Sequence, residues 1–172
     1  MAIIGIVCVD CNFGIGKKND LLFHLKKDMQ FFRQTTADSI VVCGYNTLLS
    51  FPGGKPLKGR STICLCPEDI ERDDCYCIHD FNEMVKLLKE LAKTKDVWII
   101  GGAMLYQSML PYYDQVYVNK VDADGEAEVF FPNLDKYEGM KLVKQFPEVE
   151  DEGYKTVLHL YIKNIATKEL NN

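Results

Sequence analysis

The sequence lacks most features that would place it outside the class of ordinary folded domains. Its longest apolar run, Ile3–Val9, falls far short of the about 18 residues that a transmembrane helix needs. No lysine or arginine precedes that run, so an export signal is not expected. Positive charge is in deficit, with 20 Lys+Arg against 25 Asp+Glu and a net charge of −5. Nucleic acids and anionic membranes attract strongly positive surfaces, so neither is an expected partner. A small anion held by a few local cations stays compatible with that balance. No internal repeat, low-complexity tract or linker divides the 172 residues. That length suits one domain, expected over 1–165 with a short tail at 166–172. Apolar residues at 47% and charged residues at 26% are ordinary for a packed core and argue against disorder.

Zinc-type cysteine spacing is missing too. Cys64-x-Cys66 and Cys75-x-Cys77 leave one residue between partners, whereas structural zinc prefers two to four. With Cys8, Cys11 and Cys43 the total is seven, an odd number. The expectation is reduced, mostly buried thiols in a cytosolic protein, and no metal.

Strand-length apolar runs are plentiful: Ile3–Val9, 40–43, 62–66 and 97–100 are nearly continuous. Continuous runs suit strands covered on both faces, as in a mostly parallel sheet. Helix candidates lie between them, at 25–34, Tyr45–Ser50, Phe81–Leu91 and 103–110. Later, Gln115–Val121, 141–146 and 154–162 read as strands, the last two flanking an acidic turn at 148–153. The fold class is therefore α/β, one domain with a central mixed, mostly parallel sheet flanked by helices and an antiparallel C-terminal hairpin. Ligands of such sheets sit at the carboxyl ends of central strands.

Three segments can carry chemistry. On the first helix, at roughly 100° per residue, Asp28 falls about 60° from Leu25, inside the face formed by Leu25, Met29, Phe31 and Phe32. A carboxylate there faces a cleft or a cationic ligand, and its proton affinity should be raised. The strand 97–100 runs into Gly101-Gly102 and then a helix, and Val42-Cys43-Gly44-Tyr45-Asn46-Thr47 has the same form. Glycine allows close approach to backbone and helix N-termini favour phosphate, so two such turns suit the two ends of a dinucleotide. Neither is the G-x-G-x-x-G fingerprint, which disfavours an ordinary Rossmann dehydrogenase. Last, the loop from Asn12 to Asn19, with Gly14 and Gly16, reads either as plain turn residues or as a flap over the cleft.

In order and spacing these residues resemble the dihydrofolate reductase family. Ile6-Val7-Cys8-Val9 leads without a gap to Gly14-Ile15-Gly16-Lys17-Lys18-Asn19-Asp20-Leu21-Leu22-Phe23. Asp28 and Phe32 follow, then Gly44-x-x-Thr47, Leu57-x-Gly59-Arg60, Ile99-Ile100-Gly101-Gly102, Tyr106 and Phe131-Pro132. The resemblance covers nearly the whole chain. It implies hydride transfer from NADPH, with NADH possible, to dihydrofolate, giving tetrahydrofolate.

It also implies roles. Asp28 would hold the pterin amino and ring N–H groups and favour protonation at N5, with water as donor; Leu21, Phe23 and Tyr106 complete the implied catalytic set. Val7 and Cys8 would floor the pterin, with Ile6 and Ile100 lending carbonyls. Phe32, Phe51 and Leu57 would enclose the aminobenzoyl ring, and Arg60 would clamp the glutamate α-carboxylate. Cofactor contacts fall on Cys8, Ile15, Gly16, Asn19 and Leu21, on Gly44, Tyr45, Asn46 and Thr47, and on Leu65, Cys66 and Pro67. The remainder are Ile100, Gly101, Gly102, Ala103, Met104, Leu105 and Tyr106. A cytoplasmic monomer and antifolate target is implied as well.

The chain departs from the family pattern at several positions. Leu22 and Phe23 replace a usual proline and tryptophan, which removes an indole N–H. Tyr45 and Met104 stand where many members place arginine for the adenosine 2′-phosphate, and Cys66-Pro67 replaces a serine-rich turn. Glu128-Val129-Phe130 stands where an Asp-Thr pair is frequent. Asn119 stands where threonine often orients the pterin-binding carboxylate. The alternatives are the related pyrimidine reductase of riboflavin synthesis and a non-catalytic folate- or nucleotide-binding protein.

Overall fold

The computed structural model describes residues 1–164; the tail expected at 166–172 lies outside the described residues. In chain order the elements are β1 (Ile3–Val9), β2 (Gly14–Lys17), β3 (Asp20–Leu21), α1 (Lys26–Thr36), β4 (Ile40–Gly44) and α2 (Tyr45–Ser50). Next come β5 (Ser61–Leu65), β6 (Tyr76–Ile78), α3 (Phe81–Leu91), β7 (Val97–Gly101) and α4 (Ala103–Ser108). The chain continues through β8 (Gln115–Val121), β9 (Val129–Phe130), β10 (Met140–Gln145), β11 (Val149–Asp151) and β12 (Tyr154–Lys163).

The main sheet runs β10-β12-β8-β1-β7-β4-β5-β6, with β11 added against β12. From β8 to β6 all neighbours are parallel, and β12 and β10 close one edge in antiparallel pairing. The continuous apolar runs mark these parallel strands because each strand's alternate residues enter different layers. Val7, Val42 and Ile99 pack on one face with Met84, Leu88 and Leu105. Ile4, Ile6, Val41 and Trp98 pack on the other, against Phe31 and Phe32 of α1. Helix α3 is pinned at its start by Asp80, whose carboxylate accepts from Glu83 N–H at 2.9 Å.

Several boundaries differ from the sequence expectation for identifiable reasons. Leu25 is extended (φ −107, ψ 116), so α1 begins at Lys26. Met29, assigned by the wheel to the buried face, is 46% exposed because α1 packs on the sheet through Phe31 and Phe32. The helix expected at 103–110 ends at Ser108; Pro111, lacking an N–H, sits in a separate 3-10 turn at Leu110–Tyr112. The small sheet β3-β2-β9 was not expected, since strands of two to four residues carry no periodicity to read.

Candidate functional site

Asp28 lies in the first turn of α1. Its Oδ1 accepts from Asn119 Nδ2 at 2.9 Å. Asn119 reaches it from β8, where it is registered opposite Cys8 of β1. Burial raises the Asp28 carboxyl above its ordinary range; the Asn119 hydrogen bond opposes this, the Asp151 charge reinforces it, and the Cys8 thiol opposes it. Cys8 is itself raised, by burial first and then by Asp28 and Asp151. The raised carboxyl agrees with the sequence expectation. A second carboxylate meets the same turn: Asp151 of β11 accepts from the Asp28 backbone N–H at 3.0 Å.

The surroundings form an apolar floor continuous with a second apolar patch. Phe32 and Ile100 pack against the buried cluster that contains Ile6, and Ile100 also packs, as do Tyr45 and Phe51, against the cluster of Cys43, Leu48, Cys64 and Cys66. Ile100 therefore joins the α1 side of the cleft to the α2 side. Val7 is a correction: its side chain enters the opposite core layer, so it can meet the cleft only through its backbone. Tyr106 is buried beneath the floor, its hydroxyl donating to the Ile6 carbonyl at 2.8 Å and its ring edge-on to Phe131. Burial, then Asp28 and Cys8, hold its phenol well above the usual range, so it stays a neutral donor.

Arg60 is held beside this floor by residues of α1. Its Nε donates to Thr36 Oγ1 at 2.9 Å, its guanidinium also donates to the Arg33 and Lys58 carbonyls, and it lies 6.0 Å from the Phe32 ring centroid. Thr36, which sequence reasoning missed, donates in turn to the Phe32 carbonyl at 2.8 Å. Phe51 and Leu57 are half-buried.

The two strand-to-helix turns meet where β4 and β7 end side by side. Gly44 precedes α2 and Gly102 precedes α4, and neither helix has a side-chain cap. A Cβ on Gly102 would come within 3.0 Å of Thr47 Oγ1, and one on Gly44 would point at the Gly102 backbone 3.9 Å away. The turns therefore present bare backbone to each other. Around them Tyr45 and Ala103 are half-buried, Leu65 and Leu105 belong to the core, and Cys66 is buried. Asn46, Pro67 and Met104 face outward, Met104 at 84% exposure. The Arg72 guanidinium is paired with Asp74 at 2.8 and 2.6 Å.

The loop after β1 is tied down by a residue that sequence reasoning also missed. Asp10, 1% exposed, accepts from Asn12 and Gly14 N–H through Oδ1 at 2.8 and 2.7 Å, and from Gly125 N–H through Oδ2 at 3.0 Å. A side chain at Gly14 would collide with Ala127 and Asp10, which explains the glycine there. Beyond the anchor, Ile15 packs on the core, Gly16 pairs with Leu21, and Asn19 sits at φ 59 in the exposed β2–β3 turn. Leu21 is 58% exposed, and Phe23 packs edge-on to Tyr154 at 4.9 Å. Neither is shown against Asp28. The acid at Asp10 ends an apolar strand, a signal too common to single it out.

All seven cysteines are free thiols. Cys43, Cys64 and Cys66 are buried and Cys8, Cys75 and Cys77 half-buried, while Cys11 is exposed, against the expectation of mostly buried thiols. Among the described residues no cluster has metal-binding geometry. No described helix is long and apolar enough to cross a membrane.

Residues 2–163 match the family model described as dihydrofolate reductase. The chain is 33% identical to dihydrofolate reductase of Mus musculus, over 92% of this chain and 95% of that protein. It is 32% identical to that of Bos taurus, over 92% and 96%, and 30% identical to that of Bacillus subtilis, over 86% and 84%. A solved structure of dihydrofolate reductase from Enterococcus faecalis, complexed with NADP(H) and RAB-propyl, superposes with a TM-score of 0.81 at 26% identity, covering 94% of this chain and 96% of that one.

Proposed function

The chain belongs to the dihydrofolate reductase family, an oxidoreductase reducing 7,8-dihydrofolate to 5,6,7,8-tetrahydrofolate with NADPH, and we propose that the Asp28 cleft carries that reaction. Matches to named reductases over nearly the whole chain do not favour the pyrimidine reductase or the non-catalytic binding protein.

The observation that carries the site assignment is the Asn119–Asp28 hydrogen bond at the edge of an apolar floor. It holds the carboxylate in place while each oxygen keeps a lone pair that can meet a ligand bearing adjacent N–H donors, as the pterin ring does. Asp28 then orients the pterin and, with its raised proton affinity, keeps a proton in reach of the ring nitrogen N5. Protonating that imine makes its carbon more electrophilic, and water carries the proton over the last step. Ile6, Phe32 and Ile100 form an apolar floor that keeps bulk water from this region and suits the flat rings of the substrate. Phe51 and Leu57 extend the enclosure, and the Arg60 guanidinium, pre-oriented by Thr36, pairs with the substrate's α-carboxylate.

The residues also fit a dinucleotide cofactor. Gly44, Gly101 and Gly102 leave bare backbone between two helices whose first N–H groups no side chain caps, which suits a diphosphate. Tyr45, Asn46, Thr47, Leu65, Cys66, Pro67, Ala103, Met104 and Leu105 border it, with Cys8, Ile15, Gly16, Asn19, Leu21 and Tyr106 toward the reacting end. When bound, the reduced nicotinamide supplies the hydride. Tyr106 acts indirectly, fixing the Ile6 carbonyl and the floor through its neutral hydroxyl.

A cytoplasmic monomer is part of this reading; the seven unpaired thiols suit a reducing compartment. Folate analogues that compete for Asp28 and Arg60 would inhibit it. Loss of reduced-nicotinamide absorbance on adding dihydrofolate tests the reading. Turnover with NADPH is expected, and no turnover with either NADPH or NADH would overturn it.

A further inference from the structure

The first turn of α1 has no cap of its own, because Leu25 offers no side-chain acceptor. The acceptor comes from the other end of the chain. Asp151, last residue of β11, accepts from Lys27 N–H through Oδ1 at 3.2 Å and from Asp28 N–H through Oδ2 at 3.0 Å. Its neighbours grip the same turn: Lys27 Nζ donates to the Glu150 carbonyl at 2.6 Å, and Lys26 pairs with Glu152 at 3.9 Å. Asp151 is 2% exposed, and among the described residues no cationic side chain lies within ion-pair distance of it. A carboxylate so buried is costly to desolvate, and only backbone N–H groups and the helix dipole offset that cost here.

We propose that Asp151 is a positioning residue for the reduction, its buried carboxylate fixing the Asp28 backbone and setting a second negative charge beside the Asp28 carboxyl. This rests on the reading of Asp28 as the pterin-facing carboxylate.

The titratable and charged groups facing Asp28 are few. Cys8 approaches from β1, Asp151 from β11, and the Tyr106 hydroxyl from α4. Asn119 of β8 is neutral, and on α1 itself Lys26 and Lys27 turn to Glu152 and Glu150. Cys8 and Tyr106 are raised and stay neutral near pH 7. Asp151 therefore supplies the like charge that holds a proton on Asp28, adding to burial and opposing the Asn119 and Cys8 hydrogen bonds.

The test compares the pH dependence of single-turnover hydride transfer in wild type, Asp151→Asn, Asp151→Glu and Asp28→Asn. In Asp151→Asn the limb assigned to Asp28 should move to lower pH by about one unit, with Asp151→Glu staying near wild type. A limb that stays in place while rate or stability falls would make Asp151 merely structural and overturn the proposal. A wild-type limb persisting in Asp28→Asn would instead overturn the reading of Asp28. Should Asp151→Asn not fold, the same pH profile is read in Asp151→Ser, which keeps a helix-capping acceptor without the charge. The Asp28 limb should again move to lower pH, and a limb unmoved there would overturn the coupling.

Discussion

Asn119 Nδ2 lies 2.9 Å from Asp28 Oδ1, joining β8 to α1 across the end of β1. An amide facing a carboxylate acts only as a donor, so this contact favours the ionised acid and opposes the effect of burial. The site thus holds a carboxyl whose proton affinity is set by contest: burial and Asp151 on one side, Asn119 and Cys8 on the other.

That contest has a stability consequence. A carboxyl raised in the folded state binds its proton more tightly there than in the unfolded chain. Its contribution is therefore full at low pH and is lost as pH rises through the folded value. Asp28→Asn should accordingly melt higher than wild type at neutral pH, by about 2–4 °C for each kcal/mol relieved. The gap should close in acid. Equal melting points at neutral pH would argue that Asp28 carries no burial penalty.

Arg60 is held at three points by α1 and its own loop, so its position does not depend on substrate. Arg60→Leu should raise KM for dihydrofolate about 10- to 100-fold, while the cofactor KM changes little. Equal changes in both constants would contradict the carboxylate clamp.

Asp10 ties the loop after β1 to the Gly125 turn through three backbone N–H groups. Asp10→Ala should cost about 1.5–3 kcal/mol of stability for each charge-assisted hydrogen bond left without a substitute. It should also raise the cofactor KM, because the loosened segment carries Ile15, Gly16 and Asn19. Hydrogen exchange at Gly14 and Gly125 checks this directly; unchanged protection at both would contradict the anchoring role.

Thiol accessibility should follow burial. Cys11 should react with an aromatic disulfide reagent in the native protein, while Cys43 and Cys64 should react only after unfolding. Prompt native labelling of Cys43 would contradict the packing of the β4–β5 layer.

The parallel strands were legible because apolar runs such as Ile3–Val9 have no periodic gap, and α3 because its stripe is regular. Asp28 stood out by its place on the α1 wheel. Asp10, Thr36 and Asp151 did not, because their function depends on partners distant in sequence or in another element. Nothing local separates Asp151 from Glu148, Glu150 and Glu152 in the same acidic hairpin, although only Asp151 is buried. Val7 and Met29 were misplaced for a related reason: a strand or helix pattern gives the faces, and only packing says which face meets the cleft.

The central claim is that Asp28 manages the proton for the reduction. The most direct test measures single-turnover hydride transfer from NADPH to dihydrofolate in wild type and Asp28→Asn across mildly acidic to mildly alkaline pH. The wild-type rate should fall with rising pH, its midpoint displaced above ordinary carboxylate values. Asp28→Asn should be slower by about 10²–10⁴-fold at neutral pH and lack that limb. A variant that keeps both the wild-type rate and the wild-type limb would contradict the account.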